Sequence, residues 1–146
     1  MERILVQKLL SKVVLFSVMG WFFFSQIPNA GYVVYTTLVV SALLWLIYEL
    51  RVEKERLYPA VLLGLFLMVF DWAVENSGAV LGFWNTYRSQ LFVWNVPIEI
   101  MLLCFMGGTA WAMHLPKKLN KSFVYIDSLI FAFFGALGEY LLIQNN

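Results

Sequence analysis

The sequence predicts an all-α fold: one integral membrane domain over residues 1–146, a polytopic bundle of five transmembrane helices with its N-terminus inside and its C-terminus outside. Three observations predict it. The chain is 62% hydrophobic and 13% charged, against roughly 45–50% apolar and about 25% charged in an ordinary soluble domain. Ten basic and nine acidic residues are too few to cover a globular surface of this size unless lipid forms the outer solvent. Five apolar stretches, 13–27, 32–48, 58–74, 96–113 and 123–143, match or approach the ~20 residues that cross a hydrocarbon core about 30 Å thick. Finally, the ten basic residues fall 3, 0, 3, 1, 3 and 0 before, between and after these stretches, the alternation that places Lys and Arg in cytoplasmic loops.

The first stretch can be lengthened backward through the amphipathic segment 4–12 behind Arg3, Lys8 and Lys12. Pro28-Asn29-Ala30 is a poor cleavage site for a signal peptide, so the stretch is expected to stay as an anchor. Arg51, Lys54 and Arg56 separate the second and third stretches on the inner side, and Lys117, Lys118 and Lys121 separate the fourth and fifth. The connection 76–95 is the one long link. It interleaves aromatic rings with amides and hydroxyls and is expected to lie along the interface, with Trp72, Trp84, Tyr87 and Trp94 at the headgroup level. Pro97 opens the fourth stretch, where a missing amide donor costs the helix nothing. No repeat or low-complexity linker interrupts the chain.

Ionisable side chains within spans are costly and normally face the protein interior. Five are present: Asp71, Glu75, Glu99, Asp127 and Glu139. Asp71 and Glu75, four apart, share one helix face within about 6 Å. Glu99 enters the fourth span from the same side, in a first turn whose dipole favours a carboxylate, and Glu139 falls in the outer half of the fifth. Asp127 begins that span at the inner surface. Four carboxyls are therefore expected at one depth. Like charges crowded in a dry site cannot all ionise, so at least one carboxyl is expected to hold its proton, giving both an acid and a base. Glu99, Asp71, Glu75 and Glu139 are the candidate catalytic residues. Trp72, Trp84, Trp94, Asn76 and Asn95 are the candidate substrate-binding residues. The alternative is that each carboxyl caps a helix end or meets a local Trp or Asn donor.

The glycines at 78, 82, 107, 108, 135 and 138 are expected to let helices approach closely rather than to line a channel. Cys104, alone in an apolar run, can form no internal disulfide and reads as packing. His114 is expected at the inner end of the fourth span, away from the carboxyls. One histidine and one cysteine make an ordinary zinc site unlikely, and the Glu-x-x-His pairs of diiron proteins are absent. No metal and no cofactor is expected. A net charge of +1 offers no basic stripe for nucleic acid.

At the third and fourth stretches the residues resemble a known family. Asp71, then Gly78, then Gly82-Phe83-Trp84, then Pro97-Ile98-Glu99 are similar to the motifs of the small membrane-embedded lycopene cyclase domain of carotenoid biosynthesis. There an Asp near the end of one span precedes a Gly-x-Trp segment and a Pro-x-Glu-Glu motif. The match covers about 30 residues and departs at Ile100, where the cyclases carry a second acid. The resemblance implies cofactor-independent acid–base chemistry on a long polyisoprenoid through a carbocation, and a homo- or heterodimer with another membrane protein. In this chain Asp71, Glu75 or Glu139 would have to replace the missing acid.

Three functional classes remain open at this stage. The first is a cell-membrane isomerase-type enzyme that cyclises, isomerises or hydrates a polyisoprenoid or carotenoid-like lipid. The second is a noncatalytic membrane assembly partner, and the third a small proton-coupled transporter subunit.

Overall fold

The computed structural model describes residues 3–26, 31–84, 89, 91–118 and 120–144; the side chains at 4, 18–26, 31–34, 37, 138, 139 and 141–144 lie outside the description. The chain is mostly helical. Five α-helices follow in order: α1 (Arg3–Gln26), α2 (Gly31–Glu53), α3 (Leu57–Val80), α4 (Ile98–His114) and α5 (Lys121–Gln144). A 3-10 turn, Lys54–Arg56, joins α2 to α3, and a two-stranded hairpin, β1 (Phe92–Val93) and β2 (Val96–Pro97), leads into α4. Each helix holds all or most of one apolar stretch, with 96–97 of the fourth lying in β2 and residue 27 of the first outside the described residues, and α1, α2 and α3 extend past theirs by a turn or more. Among the described residues one helical run, Leu38–Val80, is long and apolar enough to cross a membrane, and only 11% of its most apolar window is buried. It holds most of the second expected span and the whole of the third. The fourth lies in α4, whose 17 residues stand at the lower limit for crossing.

The chain divides into two compact units, one of residues 1–30 and 116–146, the other of residues 31–115. In the first, α1 packs on α5. Asn120 caps α5: its Oδ1 accepts from the Phe123 amide at 2.8 Å, satisfying one of the donors a helix start leaves unpaired. Leu5, Leu9 and Phe123 are buried, and Phe16 meets the rings of Phe131 and Phe134 edge-on at 5.3 and 5.4 Å. Lys12 and Asp127, 2% and 0% exposed, form an ion pair between the two helices. The rings of Phe123 and Phe131 lie 5.6 and 5.3 Å from the ammonium. Asp127 is thus a buried partner of Lys12 rather than a surface residue at the start of a span.

In the second unit α4 packs against both α2 and α3. The closest approach is made by small residues. A Cβ added at Gly64 would stand 2.5 Å from the Phe105 carbonyl oxygen and collide with the Thr109 hydroxyl, and one at Gly108 would stand 2.8 Å from Leu67 Cδ1. The Thr109 hydroxyl is turned back onto its own helix, donating to the Phe105 carbonyl at 2.7 Å, so it presents no unpaired donor to α3. Ala60, Ala112 and Met113 continue this seam, with Leu46, Leu50 and Leu63 against them. Gly107, one residue from Gly108, faces open space.

The C-terminal end of α3 is closed by a Schellman motif. The Phe83 amide donates to the Gly78 carbonyl at 2.9 Å and the Gly82 amide to the Ala79 carbonyl at 3.1 Å, with Gly82 at φ +74°. A residue with a Cβ is disfavoured in that conformation, which is why glycine stands there.

Two outcomes follow for unfolding in detergent. Gly108→Val should lower stability by about 1–3 kcal/mol, since it forces α4 away from Leu67, whereas Gly107→Ala should leave it unchanged or raise it. Lys12→Met should cost about 3–5 kcal/mol by removing the ammonium from a buried carboxylate, and adding Asp127→Leu should recover most of that loss.

Candidate functional site

One face of α3 carries Ala60, Gly64, Leu67, Asp71, Glu75 and Gly78 at spacings of three and four residues, the interval that stacks side chains along a helix. Its inner half meets α4 through the glycine contacts above. Farther along, where the side chains become longer, stand the two carboxyls.

Asp71 lies near Cys104 of α4. Its oxygen Oδ2 is buried and has no hydrogen-bond partner. A buried carboxyl oxygen normally finds a donor, so Asp71 is the acid in this unit whose bonding capacity is left open. Cys104 also feels the charge of Glu75, one turn beyond Asp71. The thiol is therefore a neighbour of both acids.

Glu75 is held from the other side. The chain reverses at the Schellman motif and lays the Trp84 indole over Gly78, so closely that a Cβ at that glycine would lie inside the ring. From there Trp84 Nε1 donates to Glu75 Oε2 at 2.9 Å. The glycine in this motif is needed for the ring above it.

The β1–β2 hairpin is tied to the end of α3 by two other candidate residues. Asn76 Oδ1 accepts from the Asn95 amide at 3.1 Å, while Asn76 Nδ2 donates to the Trp72 carbonyl at 2.9 Å. Trp72 Nε1 donates to the Val93 carbonyl at 3.3 Å, and its ring lies 5.4 Å from that of Trp94. Trp72, Asn76, Trp94 and Asn95 thus form one connected group. Their first role is to fix the hairpin that precedes α4.

Glu99, in the first turn of α4, accepts from the Ser89 hydroxyl at 2.6 Å. The Ser89 hydroxyl also accepts from the Leu91 amide and lies 2.9 Å from the Leu91 carbonyl, which competes with Glu99 for its single proton, so the hydroxyl ties this segment to the helix start. The structure places Asp71 and Glu75 on one face of α3, both near Cys104. It gives Glu99 a partner of its own. The side chain of Glu139 and the whole of Tyr87 lie outside the described residues.

At the opposite end of this unit, His114 Nδ1 is 2.6 Å from Glu49 Oε1, a carboxylate outside the candidate set, and Trp45 Nε1 donates to the same oxygen at 3.0 Å. Glu49 is buried. Nearby, Arg56 donates to the Met113 and Leu115 carbonyls, closing the C-terminus of α4, where a cation is favoured by the helix dipole. Sequence reading missed Glu49 because it stands at the polar end of an apolar run, although Trp45 and Glu49 at i, i+4 were a usable signal.

Among the described residues no group of three or more His, Cys, Asp and Glu side chains is placed to hold a metal ion. Comparison with protein-family models, curated proteins and solved structures finds no match to this chain. The site is therefore defined by its own geometry: a mostly helical, apolar protein with an acid pair between two closely packed helices.

Gly78→Ala should displace the Trp84 indole from Glu75. The expected outcome is greater quenching of tryptophan fluorescence by acrylamide, which Trp84→Phe in the same background abolishes.

Proposed function

We propose that the chain is a multi-pass membrane protein in which α1 to α5 each cross the bilayer, with the connection 76–95 at the outer surface. In this reading Asp71 and Glu75 perform cofactor-independent acid–base chemistry on a polyisoprenoid or carotenoid-like lipid. The observation that carries it is Asp71: a carboxyl on the α4-facing side of α3, near Cys104, with one buried oxygen that has no hydrogen-bond partner. The exposed apolar faces of α2 and α3, including Leu44, Phe66 and Phe70, support lipid as the solvent and as the source of the substrate.

In the proposed reaction Asp71 gives a proton to one carbon of a C=C bond, and the π electrons become the new C–H bond. The carbocation at the other carbon is attacked by a neighbouring C=C bond, closing a ring, or loses a proton directly, shifting the double bond. The Asp71 carboxylate accepts that second proton, or Glu75 accepts it and passes it back to Asp71, so the product is an isomer of the substrate and the protein is regenerated. The electron-rich faces of Trp72 and Trp84 stabilise the cation, and a site closed to water keeps it from becoming an alcohol. Glu99, bonded to Ser89, supports the helix start that aligns Cys104.

A second reading is favoured by a specific observation. Glu75, Glu99 and Asp127 each accept a hydrogen bond from a donor of their own, the arrangement expected of a noncatalytic assembly partner.

The two readings part in a lipid-extract comparison by mass spectrometry, with membranes expressing wild type, Asp71→Asn or Glu99→Gln and supplied with linear polyisoprenoids. Under the enzymatic reading wild type forms an isomeric product, Asp71→Asn lowers its yield by a factor of at least about 100 at equal protein level, and Glu99→Gln lowers it less. No product from wild type with any substrate favours the assembly partner.

A further inference from the structure

The turn between β1 and β2 places Trp94 at φ +61°, the one residue other than glycine with a positive φ among the described residues. In a two-residue hairpin a positive φ at the first turn position suits glycine, and for a bulky aromatic residue it is a strained conformation that the surroundings must impose. They do so at several points. The Asn95 amide is held by Asn76, the Val93 carbonyl by Trp72, and the Ile98 amide donates to the Leu91 carbonyl at 3.0 Å. Despite this cost the ring is not buried: Trp94 is 78% exposed and touches the Trp72 ring on one side.

The surface around it is of one kind. Val80, Leu81, Phe83, Leu91 and Phe92 are all exposed on the segments that end α3 and lead into α4, and the sequence between Glu75 and Glu99 carries one charge, Arg88, which lies outside the described residues. This apolar collar adjoins the exposed side chains of Phe66, Phe70 and Val74 on α3. A surface so poor in charge that joins an apolar helix face and ends in an indole with a free polar edge fits the boundary between headgroups and acyl chains, where Trp is enriched.

We infer that the hairpin is a membrane-interface foot, and that its strained turn exists to set the Trp94 ring into the headgroup–acyl boundary of a bilayer. The inference rests on the membrane reading above but not on the acid–base chemistry. Trp94 then fixes the depth and tilt of the hairpin, and through the Asn76 and Trp72 bonds the depth of the outer end of α3.

The test uses the full chain in phosphatidylcholine vesicles. Wild type and Trp94→Phe are compared, and the difference between their emission spectra reports Trp94. Bromines placed shallowly on the acyl chains should quench that difference severalfold, while aqueous iodide should leave it nearly unchanged. Strong quenching by iodide and none by bromolipid would overturn the inference and leave the membrane reading intact. A chain that fails to float with the vesicles would overturn both. In a second variant, Trp94→Gly, the turn carries no strain, so the protein should unfold no earlier than wild type; earlier unfolding would show that Trp94 is a packing residue and overturn its role as an interface foot.

Discussion

Two glycines set the distance between α3 and α4, and much of the second unit depends on that distance. Gly64 lies under the Phe105 carbonyl and the Thr109 hydroxyl, and Gly108 lies under Leu67. Without side chains at these two points the backbones approach until ordinary van der Waals contact is made along the seam through Ala60 and Ala112. In an apolar surrounding no hydrophobic force favours helix pairing over lipid contact, so close packing and local polar bonds must supply the attraction. Farther along the same face the residues lengthen to Asp71 and Glu75. The geometry that the glycines fix is what brings Asp71 to Cys104 on the neighbouring helix.

Polar groups in the rest of the structure are placed by the same economy. The Thr109 hydroxyl returns to its own helix, Trp84 reaches back across Gly78 to Glu75, Ser89 binds Glu99, and Arg56 closes the carbonyls at the end of α4. In the other unit Lys12 and Asp127 neutralise each other between phenylalanine rings. An uncompensated charge in such surroundings costs several kcal/mol, so these pairings are conditions for the helices to pack. Against that pattern the open oxygen of Asp71 stands out, and the reading of the site as an acid–base centre rests on it.

The helices were legible in the sequence, because five apolar stretches of near-crossing length separated by short polar turns leave few alternatives to helix. Pro97 marks a helix start that the structure places within a residue of it, whereas Gly82, read as a packing glycine, is the positive-φ residue that closes α3. The i, i+4 spacing put Asp71 and Glu75 on one face. What periodicity cannot carry is which residue on another helix faces a given one. Cys104 opposite Asp71, His114 beside Glu49 and Lys12 beside Asp127 are pairings across 33, 65 and 115 positions of chain, set by crossing geometry. Lys12 was read as a flank of the first span because a lone lysine near an apolar run looks like a surface charge. Its burial depends on an aspartate that the sequence does not place next to it.

The central claim is the register of α3 against α4. Asp71→Cys places a second thiol opposite the native Cys104, and oxidation with copper phenanthroline followed by peptide mass spectrometry reads whether a 71–104 disulfide forms. A disulfide needs Cβ atoms about 3.5–4.5 Å apart, so the account predicts rapid cross-linking in Asp71→Cys and none in Phe70→Cys, whose side chain is on the exposed face. No 71–104 disulfide, or equal cross-linking from position 70, would contradict the register and with it the placement of the acid pair.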